Sequence, residues 1–342
     1  MTGFIDELPA DLVALIRRST IAEYATVSGA GMPIDTPTFY FPSADLTSLD
    51  IGTGLAYPAK AERARRNPKV GMLIEGGADD PVISIAGIAA VRDADLQANL
   101  ERYIAETILS PTVHPALVPW EKTRSRMYYL TRVIVCVAPA HIRWWPNRAA
   151  MDEAPTQWRA APGTQFPASD PAPAGVLSAG PKWQQRSWQD MAKTALGQGL
   201  PAHLTLLDGD GFPLPIRVKH YRHHADGFAL SVPRAAPWQE GKATLSFVGK
   251  EIFVGDARRH GDEMLLRVER ALPVLPTVDD QGGRKQEIPL FDQRLEDELA
   301  RRGQVLPEAP ASPPEPTAGC ILRAAAYGTL DAAAPGGRSD KS

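Results

Sequence analysis

Lys60 falls near the start of the run Ala59-Lys60-Ala61-Glu62-Arg63-Ala64-Arg65-Arg66, which follows an apolar stretch ending in Thr53-Gly54 and is stopped by Asn67-Pro68. Such a run predicts a short helix, because the residue before a proline is pushed out of helical geometry. A helix start carries unpaired N–H groups and a partial positive charge, and a lysine there adds a full one. The segment from Ile51 to Pro68 therefore predicts a phosphate site. A solvated surface lysine is the other reading that these residues allow. A second concentration of polar groups, Arg217, Lys219, His220, Arg222, His223 and His224, lies along or just past a strand of the other half. Its histidines have no companion cluster of Cys, His or acids, so no metal site is expected.

The elements that would position these groups come twice. Tyr24-Ala25-Thr26-Val27 runs into Ser28-Gly29-Ala30-Gly31-Met32-Pro33 and a strand from Ile34 to Phe41. Leu204-Thr205-Leu206-Leu207 runs into Asp208-Gly209-Asp210-Gly211-Phe212-Pro213 and a strand from Leu214 to Tyr221, and the two stretches align without a gap. Each glycine pair can supply the positive φ of a tight hairpin. A helix-like segment precedes each hairpin (Leu12 to Arg18; Gln184 to Leu196), and a third strand follows (Leu49 to Thr53; Phe228 to Val232). The halves then diverge. Where the first carries the Lys60 helix and a strand from Val70 to Ile74, the second has only Trp238 to Lys242 before Ala243 to Val248. Further strands at Val82 to Val91, Arg132 to Val137, Ile252 to Ala257 and Met264 to Leu272 predict a mainly β fold with marginal helices: two β-barrels and not a parallel α/β sheet.

The chain of 342 residues exceeds what one core usually supports. Its expected division is a first barrel over 1–151, a Pro/Ala-rich linker over 152–182, a degenerate second barrel over 183–302 and a flexible tail over 303–342. The linker and tail have compositions that bury too little apolar surface to offset ordering entropy. Hydrophobic residues at 44% and charged residues at 23% describe an ordinary soluble globular protein. A net charge of −3 without a sustained Lys/Arg block argues against a nucleic-acid partner. The N-terminal segment reads as an amphipathic helix and not a signal peptide, and no apolar run approaches the roughly 20 residues of a membrane span. Cys136 and Cys320, the only cysteines, suit neither a disulfide framework nor a thiolate metal site and fit a reducing cytoplasm.

The stretch from Thr20 to Pro68 resembles the pyridoxamine-phosphate-oxidase-like, FMN-binding split-barrel superfamily, which includes flavin and deazaflavin oxidoreductases. The resemblance rests on Ala25-Thr26-Val27, Gly31-Met32-Pro33, Thr36-Pro37-Thr38-Phe39, and Lys60 followed seven residues later by Asn67-Pro68. It implies that Lys60 holds the phosphate of FMN, or of the deazaflavin F420, helped by Thr53 and by Tyr57 in the loop between them. It implies also that Thr36, Pro37 and Thr38 line the ring and that Trp145 packs against it. The chain departs from the pyridoxamine phosphate oxidases themselves: their Arg and Lys of the second strand align with Thr36 and Phe41, and the Ser-Arg before the phosphate lysine is Pro58-Ala59. Vitamin B6 oxidation is therefore not expected. Family members usually dimerise, so two barrels in one chain imply a pseudo-dimer, monomeric or paired again, with one site. Arg217 and Lys219 would then face the cofactor or an anionic substrate across the interface, or form a solvated strand face. Tyr40 and His220 are candidates for proton transfer by their place alone. The expected activity is oxidation or reduction of a small organic substrate. The alternative is a non-catalytic flavin or haem carrier, with His114 or His220 as an axial ligand.

Overall fold

The computed structural model describes residues 7–43, 46–110, 119–175, 187–236, 238, 240–248, 251–272 and 288–333. Helix α1 (Ala10–Arg18) leads into β1 (Ile21–Val27), β2 (Pro33–Pro42), β3 (Leu49–Gly54), α2 (Ala59–Arg66), β4 (Lys69–Glu75) and β5 (Val82–Arg92). Helices α3 (Leu96–Thr107), α4 (Trp120–Arg124) and α5 (Met127–Leu130) precede the long β6 (Arg132–Trp145). The strands are antiparallel in the order β3-β2-β1-β4-β5-β6, and β3 pairs back on β6 from Leu49↔Val137 to Gly54↔Arg132, which closes a six-stranded barrel. Tyr24, Tyr40, Leu49, Ile51, Val70, Met72, Ile83 and Val135 build its core, and α1 adds Leu12, Leu15 and Ile16. Alternation of buried and less buried residues along β2 follows from the period-two geometry of a strand with one face on that core.

The second half holds α6 (Trp188–Gln198) and, after a short β7 (Thr156–Arg159), the strands β8 (His203–Leu207), β9 (Pro213–Arg217), β10 (His220–His224), β11 (Gly227–Ser231), β12 (Gly241–Phe247), β13 (Glu251–His260) and β14 (Glu263–Leu272). Their order, β10-β11-β14-β13-β12-β8-β9, matches the first barrel read around its circumference, with the place of β2 shared by β9 and β10. The two hairpins repeat bond for bond: Ser28 N–H donates to Met32 O at 2.8 Å and Asp208 N–H to Phe212 O at 2.9 Å. Gly31 and Gly211 take φ of +75° and +82°, the left-handed conformation the turn requires. Register shifts also coincide, between Ala86 and Gly87 in β5 and between Val254 and Gly255 in β13. The chain is thus a tandem of two split-barrel halves, the first closed and the second a curled sheet.

Three expectations are corrected. The single strand from Leu214 to Tyr221 is broken at Val218-Lys219, where Val218 N–H turns to Ala202 O and Lys219 N–H to Ser231 O. The 152–182 linker is partly built into the first barrel: β7 adds to β6, and the Asp170 carboxylate accepts from Asp93 N–H, Ala94 N–H and Arg92. The tail is anchored. Helix α7 (Ile288–Arg302) buries Phe291, Leu295 and Leu299 in the first barrel's core, and α8 (Ala318–Ala333) places Arg323 on Glu106 and buries Cys320. These segments order because side chains of distant elements meet them, which composition over a local window does not register. Buried Glu298 accepts from Arg301 and Arg302, while Arg302 also reaches Asp93 and Glu62, so an ionic network ties α7 to α2.

Candidate functional site

Helix α2 delivers Lys60 where its position predicts. Lys60 Nζ donates to Thr38 Oγ1 at 2.8 Å, joining the first turn of α2 to the β2 strand. One turn on, Arg63 Nε donates to Thr26 Oγ1 at 2.7 Å. Arg132, at the start of β6, donates through Nη1 to Tyr57 Oη at 3.0 Å, and its guanidinium lies 4.4 Å from the Tyr103 ring and 4.1 Å from the Tyr129 ring. Lys60 at the mouth of α2 therefore has two further cations near it, Arg63 from the helix's last turn and Arg132 from β6, each of the three bonded to a neutral hydroxyl. None has a carboxylate at ion-pair distance among the described residues. Burial, then Arg63 and Arg132, lower the Lys60 ammonium to about 8. Burial also opposes the charge of Arg132, but the surrounding Tyr103, Tyr57 and Tyr129 outweigh it and raise its pKa. Arg132 Nε is buried without a partner. An orphaned buried donor beside uncompensated cations is the electrostatic complement of an anion.

Tyr57→Phe would leave Arg132 with a second orphaned donor, a cost of about 1–3 kcal/mol. Chemical denaturation of the two proteins checks it, and an unchanged midpoint would remove Arg132 from this arrangement.

The expected site residues separate into two groups. Thr36, Pro37, Thr38, Thr53, Tyr57 and Lys60 stay together on β2, β3 and the loop into α2, with Thr53 buried at the end of β3. Helix α7 covers that loop: Arg294 Nε donates to Ala56 O at 2.7 Å, and Phe291 meets the Tyr57 ring edge-on with centroids 5.9 Å apart. The other candidates are engaged elsewhere. Trp145 is 1% exposed, packed with Leu73, Val82, Met151 and Ile216 between the halves, and donates to Glu153 O at 2.9 Å, so its ring has no free face for a ligand. Arg217 pairs with Glu75 at 3.6 Å and Lys219 with Asp152. Tyr40 is fully buried and donates to Ile16 O at 2.8 Å, which gives its hydroxyl a structural task in place of proton transfer. His220 is exposed on β10, at the edge of the second sheet. His114 lies outside the described residues. Among the described residues no group of three or more His, Cys, Asp or Glu could hold a metal, and no helix is long and apolar enough to cross a membrane.

Sequence reading missed Arg63 and Arg132. Arg63 had a signal, since it stands three residues after Lys60 and so shares its helix face. Arg132 had none, because β6 reaches Gly54 only through barrel closure. A cleft of about 550 Å³ lies elsewhere, lined by residues such as Arg18, Thr20, Asp80 and Arg323, and includes none of the expected site residues.

No protein-family model and no curated protein matches the chain. Solved structures similar to part of it include a pyridoxamine 5'-phosphate oxidase-related, FMN-binding protein from Nostoc punctiforme, 15% identical over 44% of this chain and 91% of that one, with a TM-score of 0.31. An F420 reductase is 15% identical over 41% of this chain and 100% of its own, TM-score 0.31. A conserved hypothetical protein of Mycobacterium tuberculosis is 22% identical over 41% and 86%, TM-score 0.33. The fold assignment rests on the cyclic strand order and the β3–β6 closure seen in this chain. It is a split-barrel architecture, present in tandem.

Proposed function

We propose that the first barrel binds a flavin-type cofactor by its phosphate and serves as an oxidoreductase for a small organic substrate. The observation that carries this reading is the set of Lys60, Arg63 and Arg132, three neighbouring cations bonded only to hydroxyls, with Lys60 at the helix mouth. Lys60 and Arg132 would hold the phosphate, Thr53 would add a hydroxyl donor, Thr38, which donates to Thr36 O and accepts from Lys60, would orient the ammonium, and the Thr36–Thr38 strand would border the ring. A bound flavin supplies hydride or electron transfer; the chain's part is to anchor, orient and shield it from water. FMN is preferred over F420 because a monoester dianion matches several cations better than a phosphodiester monoanion. Haem has less support, since one axial candidate is on an exposed edge strand. The chain, not a pair of chains, would form the complete unit, its second half standing in for a partner and contributing no phosphate site because the α2 equivalent is missing there.

Titrating the purified full chain with FMN tests the proposal. Binding should shift and sharpen the flavin band near roughly 450 nm and saturate at one flavin per chain. A spectrum identical to free FMN at saturating protein would sink it, and saturation by F420 alone would overturn the choice of cofactor.

A further inference from the structure

Glu23 and His203 hold the same position in the two repeats, one residue before the aligned Tyr24 and Leu204, and the fold sets them face to face. His203 Nδ1 lies 3.3 Å from Glu23 Oε1, an ion-pair distance off the line of a hydrogen bond. Around this pair the contacts between halves recur with roles exchanged. Lys69 Nζ donates to Asp210 O at 2.5 Å, and Lys242, its equivalent on β12, donates to Ala30 O, the equivalent of Asp210. Thr244 donates to Pro33 O, while Gly71, which corresponds to Thr244, packs against the carbonyl of Pro213, which corresponds to Pro33. Exchanged pairs define a twofold relation, and a residue that meets its own equivalent sits at the axis.

Two identical barrels related in this way must put like against like at the axis. This chain puts Glu against His. We propose that Glu23 and His203 form a charge-complementary lock by which the two halves select each other within one chain, a pairing that a second copy of the first half could not reproduce.

The surroundings explain the selectivity. From β1 comes Glu23, from β2 Asp35, from β4 Glu75, from β8 His203, from β9 Arg217, and from the segment after β6 Arg148. His203 Nε2 is 3.1 Å from Glu75 Oε2, and Arg217 and Arg148 reach Glu75 at 3.6 and 3.8 Å. Asp35 is fully buried with neither carboxylate oxygen partnered, and burial, then Glu23, hold its carboxyl well above the usual range. Pairing two first halves would set two copies of Glu23 against each other at a buried axis and leave Glu75 without His203 or Arg217 to answer it. Unpaired buried carboxylates are heavily penalised, so the second half excludes the competing partner as well as supplying the right one. Burial opposes a charge on His203, but Glu23 and Glu75 outweigh it and raise its pKa to about 10.

The test uses the full chain. His203→Glu should lower the thermal midpoint sharply, and adding Glu23→Gln should recover part of the loss, which a role for His203 in filling space alone would not allow. Should His203→Glu fail to fold, His203→Gln supplies the second measurement. A His pKa raised from 6.5 to about 10 contributes stability that is complete below 6.5 and lost as pH climbs through 10. The stability gap between wild type and His203→Gln should therefore narrow steadily between those values. A His203→Glu midpoint equal to wild type, no recovery on adding Glu23→Gln, or a gap that stays flat with pH would each overturn the lock.

Discussion

Lys60→Ala is expected to weaken FMN binding by about 1.5–3 kcal/mol, roughly 10- to 150-fold, the range for a hydrogen bond to a charged group. Loss of the ammonium removes one of three cations and frees Thr38 Oγ1, while Arg63 and Arg132 remain, so binding should fall without vanishing. The pH dependence separates an anchoring role from a general loosening. With its pKa near 8 in the unliganded protein, Lys60 is charged below that value and must take up a proton to bind an anion above it. Wild-type affinity should hold steady from about pH 6.5 to 8 and decline above 8, and Lys60→Ala should lack the decline. Fluorescence titrations of both proteins across this range decide the matter; equal affinities at pH 7 would refute the anchor.

Gly71→Val should cost about 3–5 kcal/mol, near the top of what single substitutions do. A Cβ at this position would lie 1.6 Å from the carbonyl oxygen of Pro213, so β4 of one half and β9 of the other could no longer lie against each other. Backbone cannot step aside as a flexible side chain does, and the strain would spread to the neighbouring Thr244–Pro33 and Lys69–Asp210 contacts. Gly29→Ala is the control: a Cβ there meets nothing within 4 Å, and the change should stay within about 0.5 kcal/mol. Denaturant unfolding of both variants measures the difference. Equal midpoints would mean that the halves do not pack in this way.

The repeat was legible because its signals are local. A glycine that needs positive φ, alternating apolar residues and a helix stopped by Asn67-Pro68 all act within a few positions, and they placed Lys60 at the start of α2. Arg132 was not legible because its neighbours Tyr57, Tyr103 and Tyr129 come from a loop and two helices that only closure of the barrel assembles. Arg217, Lys219 and Trp145 looked available on sequence grounds. Glu75, Asp152 and a packed seam between the halves claim them instead.

By itself the sequence determined most of the strands, though neither β7 nor the break between β9 and β10, and with them where the hairpins turn, that the halves are copies, and that the second lacks α2. Those outcomes depend on backbone preferences and on the periodic placement of apolar residues, which are properties of short segments. Only the tertiary structure decided that β3 closes on β6, that the C-terminal helices seal the first half, and that Glu23 meets His203. Such contacts depend on groups far apart in the chain arriving at one place, and long-range charge and packing are settled only when the whole fold forms.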